Sequence, residues 1–390
     1  MFKTPLLFAI LCLLFTSPSF ARGSFVYVTN YGDGSVSQFR ANPDGTLTPL
    51  DPPSVRAYPR CHSLVADPMG RYLYVLSSLE FSRRDCLVSQ FRIGPNGRLT
   101  PLSPASVLVP YKGQEGGPFL VTADPSGRFV YVPGRDGTIA QFRIQTGGAL
   151  APLESPLAAG FRFSAGDDCH VAYDRSHSLL YVSGHGHMMA ESSGGVQAYR
   201  IAADGRLSLM PRSQKYAIVR GIYTVHDGRF AYLLRYYRTD DGMQSGRTLV
   251  SECRTTSQGM LLPLRTPRVS LAGMASHALV DPRGRFFYMT IPDEYWVNGD
   301  AFNRRMVSGT FLERCEIPPS GLLRRRPRQT LRVRADVSAV AFVPSGGILY
   351  LLTAAGVRPF RVRPNGSIKP LAPRSTPAGR GPLGMVYVQK

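Results

Sequence analysis

Residues 62–75 read His62-Ser63-Leu64-Val65-Ala66-Asp67-Pro68-Met69-Gly70-Arg71-Tyr72-Leu73-Tyr74-Val75. A short β-rich apolar run meets an Asp-Pro-x-Gly-Arg turn, and an aromatic-rich run ending in Tyr-Val follows, which is the pattern of two strands joined by a tight reversal. Further on, an alternating run ends in Phe91-Arg92, a glycine turn follows at Gly97, and Leu99-Thr100-Pro101-Leu102 comes next. The expected strands are 62–66 (A), 71–75 (B), 87–92 (C) and 99–102 (D). The same phrase recurs along the chain. The tyrosine of strand B returns at Tyr27, Tyr74, Tyr131, Tyr181, Tyr232, Tyr288 and Tyr350, a mean step of about 54 residues. That length holds four short strands and their turns but is too short for an independent domain.

Strand C supplies a second register. The residue six before each turn glycine is Phe39, Phe91, Phe142, Tyr199, Cys253, Cys315 or Phe360. Period-two alternation places all seven on one face, between neighbouring sheets, so Cys253 and Cys315 read as small core residues in aromatic positions. The next residue is arginine at 40, 92, 143, 200, 254 and 361, with Glu316 the exception. The chain opens at strand B, Phe25 to Thr29, without an A strand of its own, and a spare A-like run, Leu383 to Val388, stands at the other end. One blade assembled from both termini closes a ring and removes open sheet edges, unlike a linear solenoid. The expected fold is all-β: a seven-bladed β-propeller of four-stranded antiparallel blades, closed by an N-/C-terminal shared blade and forming a single domain over residues 22–390.

Composition agrees. Single hydrophobic cores stop growing near ~250–300 residues, a limit that a ring of 390 residues escapes by burying one small core per blade boundary. Apolar residues at 43% and aromatics at 10% exclude wholesale disorder, and a mean hydropathy of -0.09 excludes a multi-span membrane protein. The 39 glycines and 32 prolines suit many tight turns.

Residues 1–21 read as a secretory signal peptide. Lys3 precedes the apolar run Leu6 to Phe15, and Ser19-Phe20-Ala21 forms a small-x-small site with cleavage expected after Ala21. Cys12 lies inside the apolar run without a lipoprotein box. A periplasmic or secreted protein is expected, most simply a monomer. The net charge of +20, or +19 without Lys3, usually points to nucleic acid. Export and the placement of arginine within the repeat argue against that partner. The dense run Arg324, Arg325, Arg326, Arg328 falls on an outermost strand, where it protects an edge or docks an anionic envelope surface. Five cysteines remain after cleavage. Cys61 and Cys169 start inner strands of different blades, across a channel wider than the ~7 Å limit for a disulfide, and no disulfide is expected.

An up-and-down meander sorts its connections onto two rims. The A–B and C–D turns are short and stereotyped, whereas length variation is expected in the B–C loops 77–85, 183–195, 235–247 and 292–305. Variable loops on a rigid scaffold are where binding normally resides. The same rim holds the starts of the innermost strands, with Arg60, Cys61 and His62; Glu115; Asp167, Asp168, Cys169 and His170; Arg220; and Ser276 and His277. These ionisable and nucleophilic groups surround the channel, where a pocket is expected. His185 and His187 with Glu191 permit a metal, but no third ligand can be named, and neither metal nor cofactor is expected.

Tyr27-Val28-Thr29-Asn30, Gly34-Ser35-Val36-Ser37-Gln38-Phe39, Leu47-Thr48-Pro49-Leu50, and His62 ahead of Pro68-x-Gly70-Arg71-x-x-Tyr74-Val75 resemble the lactonase-family seven-bladed propellers. That family includes bacterial 6-phosphogluconolactonases and fungal muconate-lactonising enzymes, and its repeats are related to Tyr-Val-Thr-Asn surface-protein propellers. The resemblance covers nearly the whole mature chain. It departs at Pro118-Phe119, where a second Pro-His is expected, and at Cys169-His170 and Ser276-His277, where histidine is displaced by one residue. It implies hydrolysis of a sugar or carboxylic-acid lactone, with His62 or His170 as base, Asp168 as orienting carboxylate, and Arg60, Arg220, Glu115, His277 and Trp296 toward substrate. The alternative is a non-catalytic exported propeller that binds a carbohydrate, peptide or envelope partner through the same rim, with Tyr236, Tyr237, Tyr295 and Trp296 in contact.

Overall fold

The computed structural model describes residues 23–390 apart from 79–85, 111–119, 135–136, 154–156, 159–168, 185–194, 212–213, 216–218, 239–243, 265–268, 274, 293–294, 298–304, 308, 326–330 and 372–374. Among the described residues, seven antiparallel sheets of four or five strands stand in a ring, with one further two-stranded sheet. From the channel outward, blade 1 is Pro382–Gln389, Ser24–Asn30, Ser35–Ala41 and Leu47–Arg56; blade 2 is Cys61–Ala66, Tyr72–Ser78, Cys86–Ile93 and Leu99–Leu108. The inner strands of blades 3 to 7 are Thr122–Ala123, Cys169–Asp174, Val219–Val225, His277–Val280 and Val337–Phe342. The termini close the ring as the sequence requires, with Tyr27 opposite Val386 and Val26 opposite Tyr387.

Strand B of each blade is an unbroken apolar run because both of its faces are buried. In blade 1, Phe25 and Tyr27 pack toward blade 2 with Cys61, Leu73 and Phe91. Val26 and Val28 pack the other way, toward blade 7, with Ile348, Tyr350 and Leu352. Seven such clusters exist, one per blade boundary. All seven strand-C positions identified from the turn glycines are buried, Cys253 and Cys315 among them.

Polar devices repeated in every unit join the blades. The strand-B tyrosine hydroxyl donates to the turn-glycine carbonyl of the next blade: Tyr27 to Gly97 at 2.6 Å, Tyr74 to Gly148 at 2.7 Å, Tyr131 to Gly205 at 2.7 Å, Tyr232 to Gly321 at 3.0 Å, Tyr288 to Gly366 at 2.9 Å and Tyr350 to Gly45 at 3.1 Å. Tyr181 makes no such bond, and its buried hydroxyl has no partner among the described residues. Strand-C Gln38, Gln90 and Gln141 each accept a backbone N–H from the next blade, at Leu99, Leu150 and Leu207, and Glu252 does so at Leu323. The repeat arginines also cross. Arg92, Arg143 and Arg200 donate to the next blade's turn carbonyls at Gly147, Asp204 and Ser257, and Arg40, Arg92 and Arg143 lie over Phe25, Tyr72 and Phe129. Arg92, Arg143 and Arg200 thus tie one blade to the next.

Two sequence expectations need correction. The insertion at 235–247 is mostly a lengthened hairpin, Phe230–Arg238 with Gln244–Thr255, and that at 292–305 carries an extra hairpin, Tyr295–Val297 with Arg305–Val307. In blade 5 the ladder runs on past Arg235, with Tyr236 opposite Thr248, whereas the hairpin of blade 6 forms a separate two-stranded sheet. Length variation is also not confined to B–C connections. The D–A connections that follow Leu108 and Ala158 run ahead to Thr122 and Cys169, whereas that following Arg56 reaches Cys61 at once.

Candidate functional site

Each inner strand presents its outer edge, with unpaired N–H and C=O groups, to the central channel. Side chains from neighbouring blades satisfy much of this edge. Thr224 Oγ1 donates to the Tyr173 carbonyl at 2.7 Å, Ser338 Oγ to the Pro382 carbonyl at 3.3 Å, and the Val121 N–H to Ser63 Oγ at 3.1 Å. His170 belongs to this set. Its Nδ1 lies 3.1 Å from the Ile222 carbonyl of the next blade, and because a carbonyl only accepts, Nδ1 carries a proton. The ring sits 4.5 Å from that of Tyr223, whose hydroxyl accepts the Ala278 N–H of the blade beyond. Blades 4, 5 and 6 are thus laced together around one imidazole.

The lacing changes character at the loop-rim end of the inner strands. In blades 2, 5 and 7 the ladder slips by one residue between Cys61 and Ser63, Val219 and Gly221, and Val337 and Ala339. The extra residues are His62, Arg220 and Ser338. A bulge takes its residue out of the ladder and re-aims the side chain, and bulges are over-represented beside active sites. Blades 4 and 6 pair regularly there, with His170 opposite Ser183 and His277 opposite Thr290. The one-residue displacement of histidine seen in the sequence is this difference between bulged and regular strands.

A cavity of about 790 Å³ runs from this level along blades 4, 5 and 6. His170, Tyr223 and Ile222 line one end; Val171, Tyr173 and Leu279 line the middle; Arg175, His226 and Arg283 stand at the other. Burial pushes the Tyr173 phenol well above its ordinary range, so it stays neutral. The cavity opens among the short A–B turns, on the rim opposite the variable loops where the sequence placed the pocket. A second hollow of about 740 Å³ lies on the outside between blades 6 and 7, bounded by Arg285, Arg314, Glu316 and Arg324.

No family model and no curated protein matches the chain. Solved structures do. A provisionally named 6-phosphogluconolactonase from Bacteroides uniformis superposes with a TM-score of 0.68 at 16% identity, over 94% of this chain and 99% of that one. A second, from Bacteroides fragilis, gives 0.69 at 16% identity over 95% and 99%. A protein from Lactobacillus plantarum gives 0.66 at 14% identity over 94% and 99%. In fold, the chain is a seven-bladed propeller similar to these structures.

The propeller places its sequence-predicted site residues unevenly. His170 is the one that lines the described cavity. His62 and Arg220 are half-buried at bulges. Nδ1 of His62 donates to the carbonyl of Arg60 at 3.1 Å, and Arg60 takes a left-handed φ of 57°, a backbone that non-glycine residues seldom adopt. Nδ1 of His277 lies 3.2 Å from Ser276 Oγ, which in turn contacts Thr290 Oγ1 at 3.0 Å. Asp168, Glu115, Asp167 and the His185, His187 and Glu191 group lie outside the described residues, as do Arg326 and Arg328 and the segment 1–22. At Tyr236, Tyr237, Tyr295 and Trp296 the backbone alone is described. Arg324 and Arg325 are exposed on the outermost strand, and Arg325 pairs with Glu313 at 3.0 Å.

No group of three or more His, Cys, Asp or Glu side chains that could hold a metal occurs among the described residues. All five cysteines among the described residues are buried thiols. Desolvation pushes the thiols of Cys61 and Cys315 up to about 11 and about 12, which keeps both protonated and poorly nucleophilic. Residues that sequence reasoning missed are Tyr223, Arg175, His226 and Arg283. The positive φ of 53° at His226 is invisible in sequence, but Val225-His226 in place of the Asp-Pro that opens other turns is a readable signal.

Proposed function

We propose that the protein is an exported lactonase that opens a sugar or carboxylic-acid lactone at the loop-rim end of the channel, with His170 or His62 as the base that activates water. The observation that carries this reading is His170 itself. It lines the cavity of a lactonase-like propeller, and the Ile222 carbonyl fixes its protonated nitrogen, leaving Nε2 as the basic one. Arg220, re-aimed by its bulge, is the group for the developing oxyanion or a substrate carboxylate. Asp168, Arg60, Glu115, His277 and Trp296 complete the proposed set. Export of the chain favours an unphosphorylated lactone, because phosphorylated sugar intermediates are kept inside the cell.

The test is hydrolysis of a panel of aldono- and carboxylated lactones, followed by proton release. Activity should appear and fall at least a hundredfold in His170→Ala or His62→Ala, with the fold unchanged by circular dichroism. Absence of activity across the panel, or full activity in both variants, sinks the reading. A second reading is supported by the lacing: His170, Thr224, Ser338 and Ser63 already satisfy inner-strand edges, which suits a rigid non-catalytic binder of a carbohydrate, peptide or anionic envelope partner. In that case the lactones bind without turnover, or do not bind.

A further inference from the structure

The far end of the cavity carries chemistry that the lactonase reading does not use. Arg175, His226 and Arg283 come from the A–B turns of three adjacent blades, all are exposed, and all border the same cavity. At the two middle positions of the corresponding turns, blades 2, 3 and 7 carry Pro68-Met69, Pro125-Ser126 and Pro344-Ser345 instead. Basic residues thus gather on one side of the mouth.

Their partners, or lack of them, set them apart. The neighbouring turn arginines are engaged: Arg71, Arg128, Arg229 and Arg285 lie 5.2 to 5.3 Å over Tyr72, Phe129, Phe230 and Phe286. Arg71 also pairs with Asp67 at 2.9 Å. Arg175 and Arg283 have no hydrogen bond or ion pair among the described residues. The acids nearby are already committed. Asp281, 3% exposed, accepts the N–H groups of Arg285 and Phe286, and Asp174 holds His177 at 2.7 Å. The side chain of Asp227 is outside the described residues. His226 stands in a left-handed backbone, φ 53°, against the edge of Phe230, a strained conformation of the kind that accumulates at ligand sites. Gly284 lies so close that a β-carbon there would come 3.0 Å from the His226 ring.

We infer that this turn-rim mouth is an anion-binding site that takes the carboxylate or phosphate end of an elongated small molecule whose body lies along the channel. Two guanidinium groups without partners suit bidentate recognition of a planar or tetrahedral oxyanion. The body meets Val171, Leu279 and Val225, an apolar wall with backbone edges between. From Arg175 back to His170 is five strand residues, or about 16 Å at the usual rise. A ligand held by the arginines therefore reaches His170 only if it is long, and a short lactone at His170 leaves the mouth unfilled. The mouth site stands or falls independently of hydrolysis.

Titration calorimetry at low salt tests it with orthophosphate and with the straight-chain carboxylates from acetate to octanoate, on the wild type, Arg175→Gln/Arg283→Gln and His170→Ala. Saturable one-site binding is expected, tightening with carboxylate length and weakened at least tenfold in the double arginine variant while His170→Ala binds normally. Phosphate tighter than acetate would identify a phosphate end; the reverse, a carboxylate end. Absence of saturable binding by every anion, affinity independent of chain length, or affinity unchanged in the double variant overturns the site. Thermal unfolding of the double variant, expected at the wild-type temperature, separates lost binding from lost fold. Loss of lactone hydrolysis in His170→Ala with anion binding intact would leave both readings standing, and failure of either one leaves the other untouched.

Discussion

Tyr74 and Tyr181 occupy the same position of two repeats and are equally buried, yet one hydroxyl is bonded and the other is not. The difference traces to the following blade boundary. Tyr74 faces the Gly148 turn across a boundary that Gln90 also bridges; in blade 4 the residue before the core aromatic is Ala198, and the glutamine stands one place earlier, where Gln197 accepts the hydroxyl of Tyr199 instead. Removing a buried, bonded hydroxyl costs about 1–2 kcal/mol, whereas removing an unsatisfied one is near neutral. Tyr74→Phe should therefore unfold at lower urea concentration by that amount, and Tyr181→Phe should match or slightly exceed the wild type. Equal losses in the two variants would show that the hydroxyl bonds between blades contribute nothing. The tyrosine period is plain in the sequence as a register of apolar positions; the acceptor of each hydroxyl is not, because it lies 70 to 89 residues further along the chain, or 305 residues back for Tyr350, and depends on how two blades meet.

The Gly147-Gly148 pair shows how much of an element can be read locally. Both glycines have positive φ, 105° and 100°, so any other residue is strained at either site. Their surroundings differ: a β-carbon at Gly147 meets nothing within 4 Å, whereas at Gly148 it would lie 2.2 Å from the Tyr72 ring of the preceding blade. Gly147→Ala should cost about 1–2 kcal/mol from backbone conformation alone. Gly148→Ala should cost at least about 3 kcal/mol more, since the ring must leave its place in the core. Denaturant titration of the two variants measures the difference, and similar costs would mean that the aromatic ring yields easily. The same limit explains the misread insertions. The polar stretch 235–247 carries no period-two pattern to mark it as strand, and only pairing of Arg235 with Leu249 and Tyr236 with Thr248 makes it one.

Ring closure is the property of the whole molecule on which the rest depends. Pro382–Gln389 is the innermost strand of blade 1, and its removal would bare the edge of Ser24–Asn30 and open the cores on both sides. Deleting residues 382–390 should give a protein that elutes as aggregate on gel filtration and has lost its cooperative thermal transition. A stable monomer with wild-type β signal would show that blade 1 holds without its inner strand. Sequence alone was sufficient for the number of blades, the shared blade and the buried register, because these rest on period-two burial and turn chemistry, both local and repeated seven times. Tertiary structure decided where the cavity opens, which histidine is laced to a neighbouring carbonyl, and which arginines are cement and which are left unpaired. Those outcomes depend on contacts between blades, whose partners are one repeat apart and are brought into register only when the ring closes.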